Sequence, residues 1–488
     1  MSPQLLLSFV IGYFVLLLAV AWYTSRNSNN ESFFIGNRNS NWMLVAFGMI
    51  GTSLSGVTFV SVPGTVGTNS FAYFQIVIGY FFGYLTIAFV LLPLYYKMNL
   101  TSIYTYLGNR LGIRSYKTGA SFFLLSRTLG ATARLFLVVK ILQDIILGDL
   151  GVPFWLTTVI ILVMILIYTY EGGVKTIVFT DTLQTTFMLG GLVVCIFYIL
   201  SAMDLGFGEA IQALGSQGGE KGAYSKIFFT DPSDKLFFVK QILAGAFITI
   251  TMTGLDQEMM QKSISVKRLK DSQKNMVSLA FIMAVVIFIF LFLGGLLHLY
   301  AAEQGVTAKG DDLFPFLALN NMPPIVSVIF IIALISALFP SADGAITALT
   351  SSFCIDIIGM NRREDWPEAK RKRIRQRVHL TIAFVFLLFV LIFHWVNDPS
   401  MIDVILKMAA YTYGPLLGLF TFGILSRRAV ADHLVPLICI IAPVFCLILE
   451  FVTPRFIPGF KLGPELLVIN GALTFLGLWI ISHKTRTV

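Results

Sequence analysis

The chain has 488 residues, of which 56% are hydrophobic, 44 are Phe and only 12% are charged. A soluble chain carries about 25% charged residues, so a soluble globular protein is excluded. The net charge of +9 is distributed in a way that follows membrane orientation and gives no sign of nucleic-acid binding.

Runs of about 20 apolar residues, the length that crosses a bilayer as a helix, recur along the chain. Thirteen are predicted, at about 3–23, 42–66, 71–96, 118–143, 153–170, 176–203, 236–256, 275–301, 323–358, 378–396, 402–425, 431–453 and 464–482. The first lacks a basic n-region and a small-residue cleavage site, so it reads as a retained helix and not a signal peptide. No polar stretch is longer than 204–235, and the chain is therefore one all-α integral membrane domain. With the N-terminus placed outside, loops on the cytoplasmic side hold 24 Lys and Arg, including five in 262–274 and eight in 360–378, against six on the external side. That asymmetry predicts N-out, C-in and an odd number of spans. The run Lys370-Arg-Lys-Arg-Ile-Arg-Gln-Arg377 reads as a topology anchor beside anionic lipid.

The second span is a poor helix. Gly51, Gly56, Pro63 and Gly64, with Thr52, Ser53, Ser55, Thr58 and Ser61 among them, weaken its hydrogen-bond ladder. The fourth span holds Arg127, Arg134 and Lys140: Arg127 leans to the cytoplasmic side, Lys140 snorkels outward, and Arg134 sits near mid-membrane. The seventh ends in Ile248-Thr-Ile-Thr-Met-Thr-Gly-Leu-Asp256, again weak. The ninth carries Pro340-Ser-Ala-Asp-Gly344 at its centre, and an ionisable group at that depth marks a functional site. Two weak helices open successive blocks of five spans, 42–203 and 236–425, the pattern of an inverted-repeat secondary transporter whose ligands bind midway across the membrane. Residues 1–41 and 426–488 then supply one extra helix before and two after, with 204–235 an external loop. The four cysteines lie in apolar spans without metal-ligand spacing. The five histidines are scattered toward membrane edges, and no His-Glu-x-x-His or Gly-x-Ser-x-Gly pattern appears, so no enzyme is expected.

Four segments resemble the sodium:solute symporter family: Glu171-Gly-Gly-Val-Lys-Thr-Ile-Val-Phe-Thr-Asp-Thr-Leu-Gln184, Gly254-Leu-Asp-Gln-Glu-Met-Met-Gln261, Ser336 to Asp356, and Tyr411-Thr-Tyr-Gly-Pro-Leu-Leu-Gly-Leu-Phe420. The resemblance covers essentially the whole chain and implies a leucine-transporter-type fold of five plus five core helices. It also implies Na⁺ as the cofactor, held by backbone carbonyls of Gly51 and Leu54, the carbonyl of Ala337 and the hydroxyl of Ser341. Here Pro340 stands where the family commonly has a further hydroxyl, and the carbonyl it frees on Ser336 is a substitute ligand. Some members carry a second Na⁺ site, whose aspartate matches Asp181 and one of whose hydroxyl positions matches Asp343. Two carboxylates so placed repel one another. Either a second Na⁺ lies between them, or one is protonated and carries H⁺, or both are structural, with Asp181 pairing to a nearby lysine.

Arg134 and Lys407, the latter placed by the Gly-Pro segment where sugar-transporting members hold substrate, suit a carboxylate-bearing solute, because Arg binds carboxylates bidentately. The bland alternative is that Arg134 neutralises an aspartate and that Lys407 snorkels or pairs with Asp403. Ser53, Ser55 and Thr58, with Thr249 and Met252, complete the expected lining. The expected function is Na⁺-coupled symport of a small polar solute, a sugar acid or other organic anion, with a neutral sugar, amino acid or vitamin as the alternative, and a sensor or channel as a competing class. The expected setting is a bacterial inner membrane, with lipid as the surrounding partner, no nucleic acid, and a monomer or loose oligomer.

Overall fold

A computed structural model describes residues 3–25, 33–34, 36–363, 365–396, 401–456 and 462–483. Within them the regular structure is helical, apart from two pairs of two-residue strands, with turns and loops between the helices. This is what a bilayer demands, because a helix satisfies its backbone groups internally where no water is available. In chain order the helices of eight residues or more are α1 (Pro3–Ser25), α2 (Trp42–Ser53), α3 (Gly56–Gly64), α4 (Tyr73–Lys97), α5 (Ile113–Leu142), α6 (Phe154–Ala202), α7 (Phe207–Ser216), α8 (Phe238–Gly254) and α9 (Gln257–Ile264). They continue as α10 (Leu269–Glu303), α11 (Leu313–Asn320), α12 (Pro324–Ile357), α13 (Glu368–Val396), α14 (Met401–Thr412), α15 (Gly414–Leu425), α16 (Val435–Phe456) and α17 (Leu466–Ile480).

Among the described residues eight helices are long and apolar enough to cross a membrane, and the number rises to eleven when each bent pair is taken as one span. Two shorter apolar stretches, Phe154–Tyr170 and Leu466–Ile480, stand apart from that count. Both weak helices expected from the sequence are broken. α2 and α3 meet at 55° across Leu54 and Ser55, and α8 and α9 meet at 66° across Leu255 and Asp256. A third bend, 45° between Asp403–Thr412 and α15, falls where the sequence suggested one straight span. Spans expected at 153–170 and 176–203 run together in α6, which turns at Gly173 (φ 55°, ψ −151°).

α12 is the axis of the molecule. Of its apolar stretch 83% is buried, against 28% in α1 and 22% in α16, which therefore stand at the periphery. It continues helically through Pro340 and packs on α6, α5 and the broken α2–α3 pair. α4 and α8 touch backbone to backbone: a Cβ on Gly79 would strike the Ile242 carbonyl with Gly245 Cα 2.9 Å away, and one on Gly245 would strike the carbonyl of Ile76. Small residues at such crossings let membrane helices approach closely.

Candidate functional site

The two breaks and α12 meet at the centre of the fold. α2 ends because Leu54 leaves helical geometry (φ −93°, ψ 83°). Among the described residues no amide or side chain then donates to the carbonyls of Gly51 or Leu54. Gly51 lies against α12, where a Cβ on it would come within 3.6 Å of Pro340 Cγ and would collide with Thr185 Oγ1, which accepts from Gly51 N at 3.1 Å. Ser341 Oγ donates to Leu338 O at 2.8 Å and keeps its own lone pairs free. Gly51, Leu54 and Ser341 thus present oxygens of the kind a hard cation prefers, two of them released by the break, while Ala337 lies within the continuous helix α12. The Ser336 hydroxyl is engaged by Tyr13 of α1 at 2.7 Å and by Ile332 O at 2.6 Å, which leaves its carbonyl as the oxygen that could substitute for the missing hydroxyl.

Beside the breaks lie two adjoining cavities of about 80 and 70 Å³ that share Ser53, Tyr80, Arg134, Ile248, Met252 and Met283. Thr249 borders the first, and Ser55 and Thr58 the second. Six of the seven residues expected to hold solute are therefore brought together. Arg134, half-buried on α5, forms no ion pair within 4 Å among the described residues, so its guanidinium faces the cavity without a carboxylate. The tyrosines Tyr73 and Tyr80, whose hydroxyls lie 3.1 Å apart, join the lining without having been anticipated.

Lys407 is not part of this group. Ile405 and Leu406 line the second cavity, but one residue further the helix has rotated about 100°, and Lys407 Nζ reaches Glu450 at 2.7 Å with 60% of its side chain exposed. It is held by neither the solute cavity nor Asp403. A larger cavity of about 700 Å³, bordered by Gly64, Asn69, Asp231 and Asp403, opens at the C-terminal end of α3.

A buried ionic layer adjoins the cavities. Asp256 caps α9, its Oδ1 accepting from Glu258 N at 2.9 Å and Met259 N at 3.3 Å, which sets Glu258 and Lys262 one turn apart on the same face. Arg127 Nη2 pairs with Glu258 Oε2, and Arg127 Nε lies 3.9 Å from Asp256, which also accepts from the Tyr413 hydroxyl at 3.0 Å. Lys262 Nζ lies 2.7 Å from Asp181 Oδ2, 2.7 Å from Thr52 Oγ1 and 3.4 Å from Glu258 Oε1. Asp343 accepts from the Tyr168 hydroxyl at 2.7 Å and from Gly344 N. Lys262 thus pairs with Asp181 of α6 and reaches α12 beside Asp343, where a Cβ on Gly344 would lie 3.2 Å from its Nζ.

Lys262 corrects the sequence reading. It was counted among the basic residues of the 262–274 loop, yet its side chain is 3% exposed and lies in the last turn of the short helix that follows the second break. Glu258 was likewise missed, although the Asp256-Gln-Glu-Met-Met-Gln-Lys262 spacing holds both a cap and a Glu–Lys pair at i,i+4.

Residues 33–432 match the model of the sodium:solute symporter family. Among curated relatives, the sodium/sialic acid symporter SiaT of Proteus mirabilis (strain HI4320) is 24% identical over 452 residues, covering 87% of this chain and 86% of its own. Sodium-coupled monocarboxylate transporter 1 of Mus musculus is 25% identical over 438 residues, covering 87% and 68%. A substrate-bound, outward-open Na⁺-coupled sialic acid symporter superposes with a TM-score of 0.83 at 19% identity, covering 98% of this chain and 99% of that one. The nucleobase-cation-symport-1 transporter Mhp1 superposes at 0.57 and 15% identity, covering 92% and 93%. These likenesses show the fold, the leucine-transporter type that the resemblance implied. With the family match extending over most of its length, the protein belongs to the sodium:solute symporter family, multi-pass membrane transporters of small solutes for which Na⁺ is the coupling ion.

Proposed function

We propose that the protein imports a small carboxylate-bearing solute together with Na⁺ by alternating access, with Arg134 as the anchor for the carboxylate. One observation carries this reading: a guanidinium near mid-membrane that faces the central cavity and meets no carboxylate of the described chain. A cation is expensive at such depth unless an anion meets it during function, and the guanidinium fork matches a carboxylate bidentately. Two of the relatives' names fall in the same class, since sialic acid and monocarboxylates are both carboxylates, while others name glucose, which is neutral. Ser53, Ser55, Thr58, Thr249 and Met252 complete the solute site in this proposal, and Na⁺ sits at the α2 break on the carbonyls of Gly51, Leu54 and Ala337 and the hydroxyl of Ser341. Solute enters from the large cavity beyond α3, the external side in an N-out, C-in arrangement in a bacterial inner membrane. The thirteen-helix count and the repeats 42–203 and 236–425 follow if the two shorter apolar stretches also cross. The domain works as a monomer or loose oligomer surrounded by lipid.

The test is uptake into proteoliposomes under an inward Na⁺ or K⁺ gradient, with carboxylated solutes and their neutral counterparts run in parallel. Uptake is expected only for carboxylated solutes and only with Na⁺, and Arg134→Gln is expected to raise KM about tenfold or more, equivalent to about 1.4 kcal/mol of binding. Uptake of neutral solutes with Arg134→Gln silent would reject the anion reading. Uptake indifferent to Na⁺ would reject the symport mechanism.

A further inference from the structure

We infer that the ammonium of Lys262 is a tethered cation occupying the position that a second Na⁺ would take between Asp181 and Asp343, so that a single Na⁺, at the α2 break, is coupled to solute. The inference rests on the Na⁺ symport proposed above and deepens it by assigning the ion stoichiometry.

The geometry is that of a filled site. An ammonium has three protons to donate and no lone pair, and Lys262 Nζ has three oxygens around it: Asp181 Oδ2 and Thr52 Oγ1 at 2.7 Å each and Glu258 Oε1 at 3.4 Å. Those oxygens come from α6, α2 and α9. α12 closes the remaining side at Gly344, where a Cβ would run into Glu258 Oε1 and lie 3.2 Å from Lys262 Nζ. The glycine beside Asp343 is thus the space in which the ammonium and its carboxylate are seated. Carboxylate and hydroxyl oxygens at membrane depth are what a hard cation requires, and a protein cation already holds Asp181 Oδ2 and Thr52 Oγ1, leaving Asp181 Oδ1 without a hydrogen-bond partner among the described residues. Asp343 is kept close by without direct pairing, its oxygens taken by the Tyr168 hydroxyl and Gly344 N.

A tethered cation differs from a bound ion in one respect that matters for transport: it cannot be released. It neutralises Asp181 in every turn of the cycle and draws nothing from the Na⁺ gradient. With one Na⁺ accompanying one monoanionic solute, the loaded transporter carries no net extra charge, and uptake is electroneutral.

Radiolabelled Na⁺ binding to the purified full-length protein tests this directly. Wild type is expected to saturate at about one Na⁺ per protein, with a Hill coefficient of about 1. Lys262→Met exposes Asp181 and Asp343 and is expected to raise saturation to about two, whereas Lys262→Arg, which keeps the charge, holds it at about one. Saturation at two in wild type overturns the inference while leaving Na⁺ symport standing, and so does saturation at one in a folded Lys262→Met protein. No saturable Na⁺ binding in wild type would instead overturn the symport reading. The wild-type count decides even if Lys262→Met does not fold.

Discussion

Glu258 offers the sharpest test of the buried ionic layer. Its carboxylate is 2% exposed and holds two cations, Arg127 through Oε2 and Lys262 at 3.4 Å through Oε1. Glu258→Gln keeps the shape and removes the charge. Removing one partner of a buried ion pair costs about 3–5 kcal/mol, because the other charge is left uncompensated. Here each cation keeps a second carboxylate, Asp256 at 3.9 Å from Arg127 and Asp181 at 2.7 Å from Lys262, so the lower end applies, about 3 kcal/mol. An unfolding entropy of about 2.1 cal/mol/K per residue over 488 residues gives about 1 kcal/mol/K, and Tm should fall by about 3 °C. Thermal melting in detergent micelles reads this out. The double variant Arg127→Met, Glu258→Met removes one charge of each sign and should recover part of the loss, since apolar replacement of a buried pair is neutral or stabilising, but only part, because Asp256 loses its cation. A Glu258→Gln protein melting within about 1 °C of wild type, or a double variant melting below Glu258→Gln, would refute the reasoning.

Two further outcomes are expected. Gly51→Ala puts a methyl onto Thr185 Oγ1 and pushes the α2 break away from Pro340; Na⁺ affinity, measured as thermal stabilisation across a Na⁺ titration, should fall about tenfold, and an unchanged affinity would remove the Gly51 carbonyl from the ion site. Lys407→Ala breaks a pair whose lysine is 60% exposed, worth no more than about 1 kcal/mol, and should leave solute KM within about twofold; a tenfold rise would return Lys407 to the solute site.

The breaks were legible because their causes are local. Glycine, proline and closely spaced Ser and Thr weaken a helix wherever they occur, so 49–64 and 248–256 declared themselves. Residues beside a break line whatever opens there, which is why Ser53, Ser55, Thr58, Thr249 and Met252 converge. Lys262 was hidden because its partners Asp181 and Thr52 lie 81 and 210 residues away in sequence, and hydropathy alone assigned it to the flanking loop. Lys407 failed through rotation, since matching a Gly-Pro segment fixes depth along a helix but not the direction of a side chain several residues before it. The third bend falls within that same Tyr411–Phe420 segment, which was read for its likeness to a family and not for what Gly414-Pro415 does to a helix.

The seam between α4 and α8 restricts what can move. With glycine on both sides, each facing a carbonyl oxygen of the other helix, it has no side-chain cushion over which one helix could slide along the other. α4 and α8 therefore travel as a single strut, and the solute-facing positions Thr249 and Met252 travel with it. Any rocking has to be taken up at the hinges on either side, Leu54–Ser55 and Leu255–Asp256. Lys262 lies beyond the second hinge, so the strut can tilt while the ammonium stays with Asp181. A binder that grips the outer face of α4 would hold one wall of the solute chamber still without entering it.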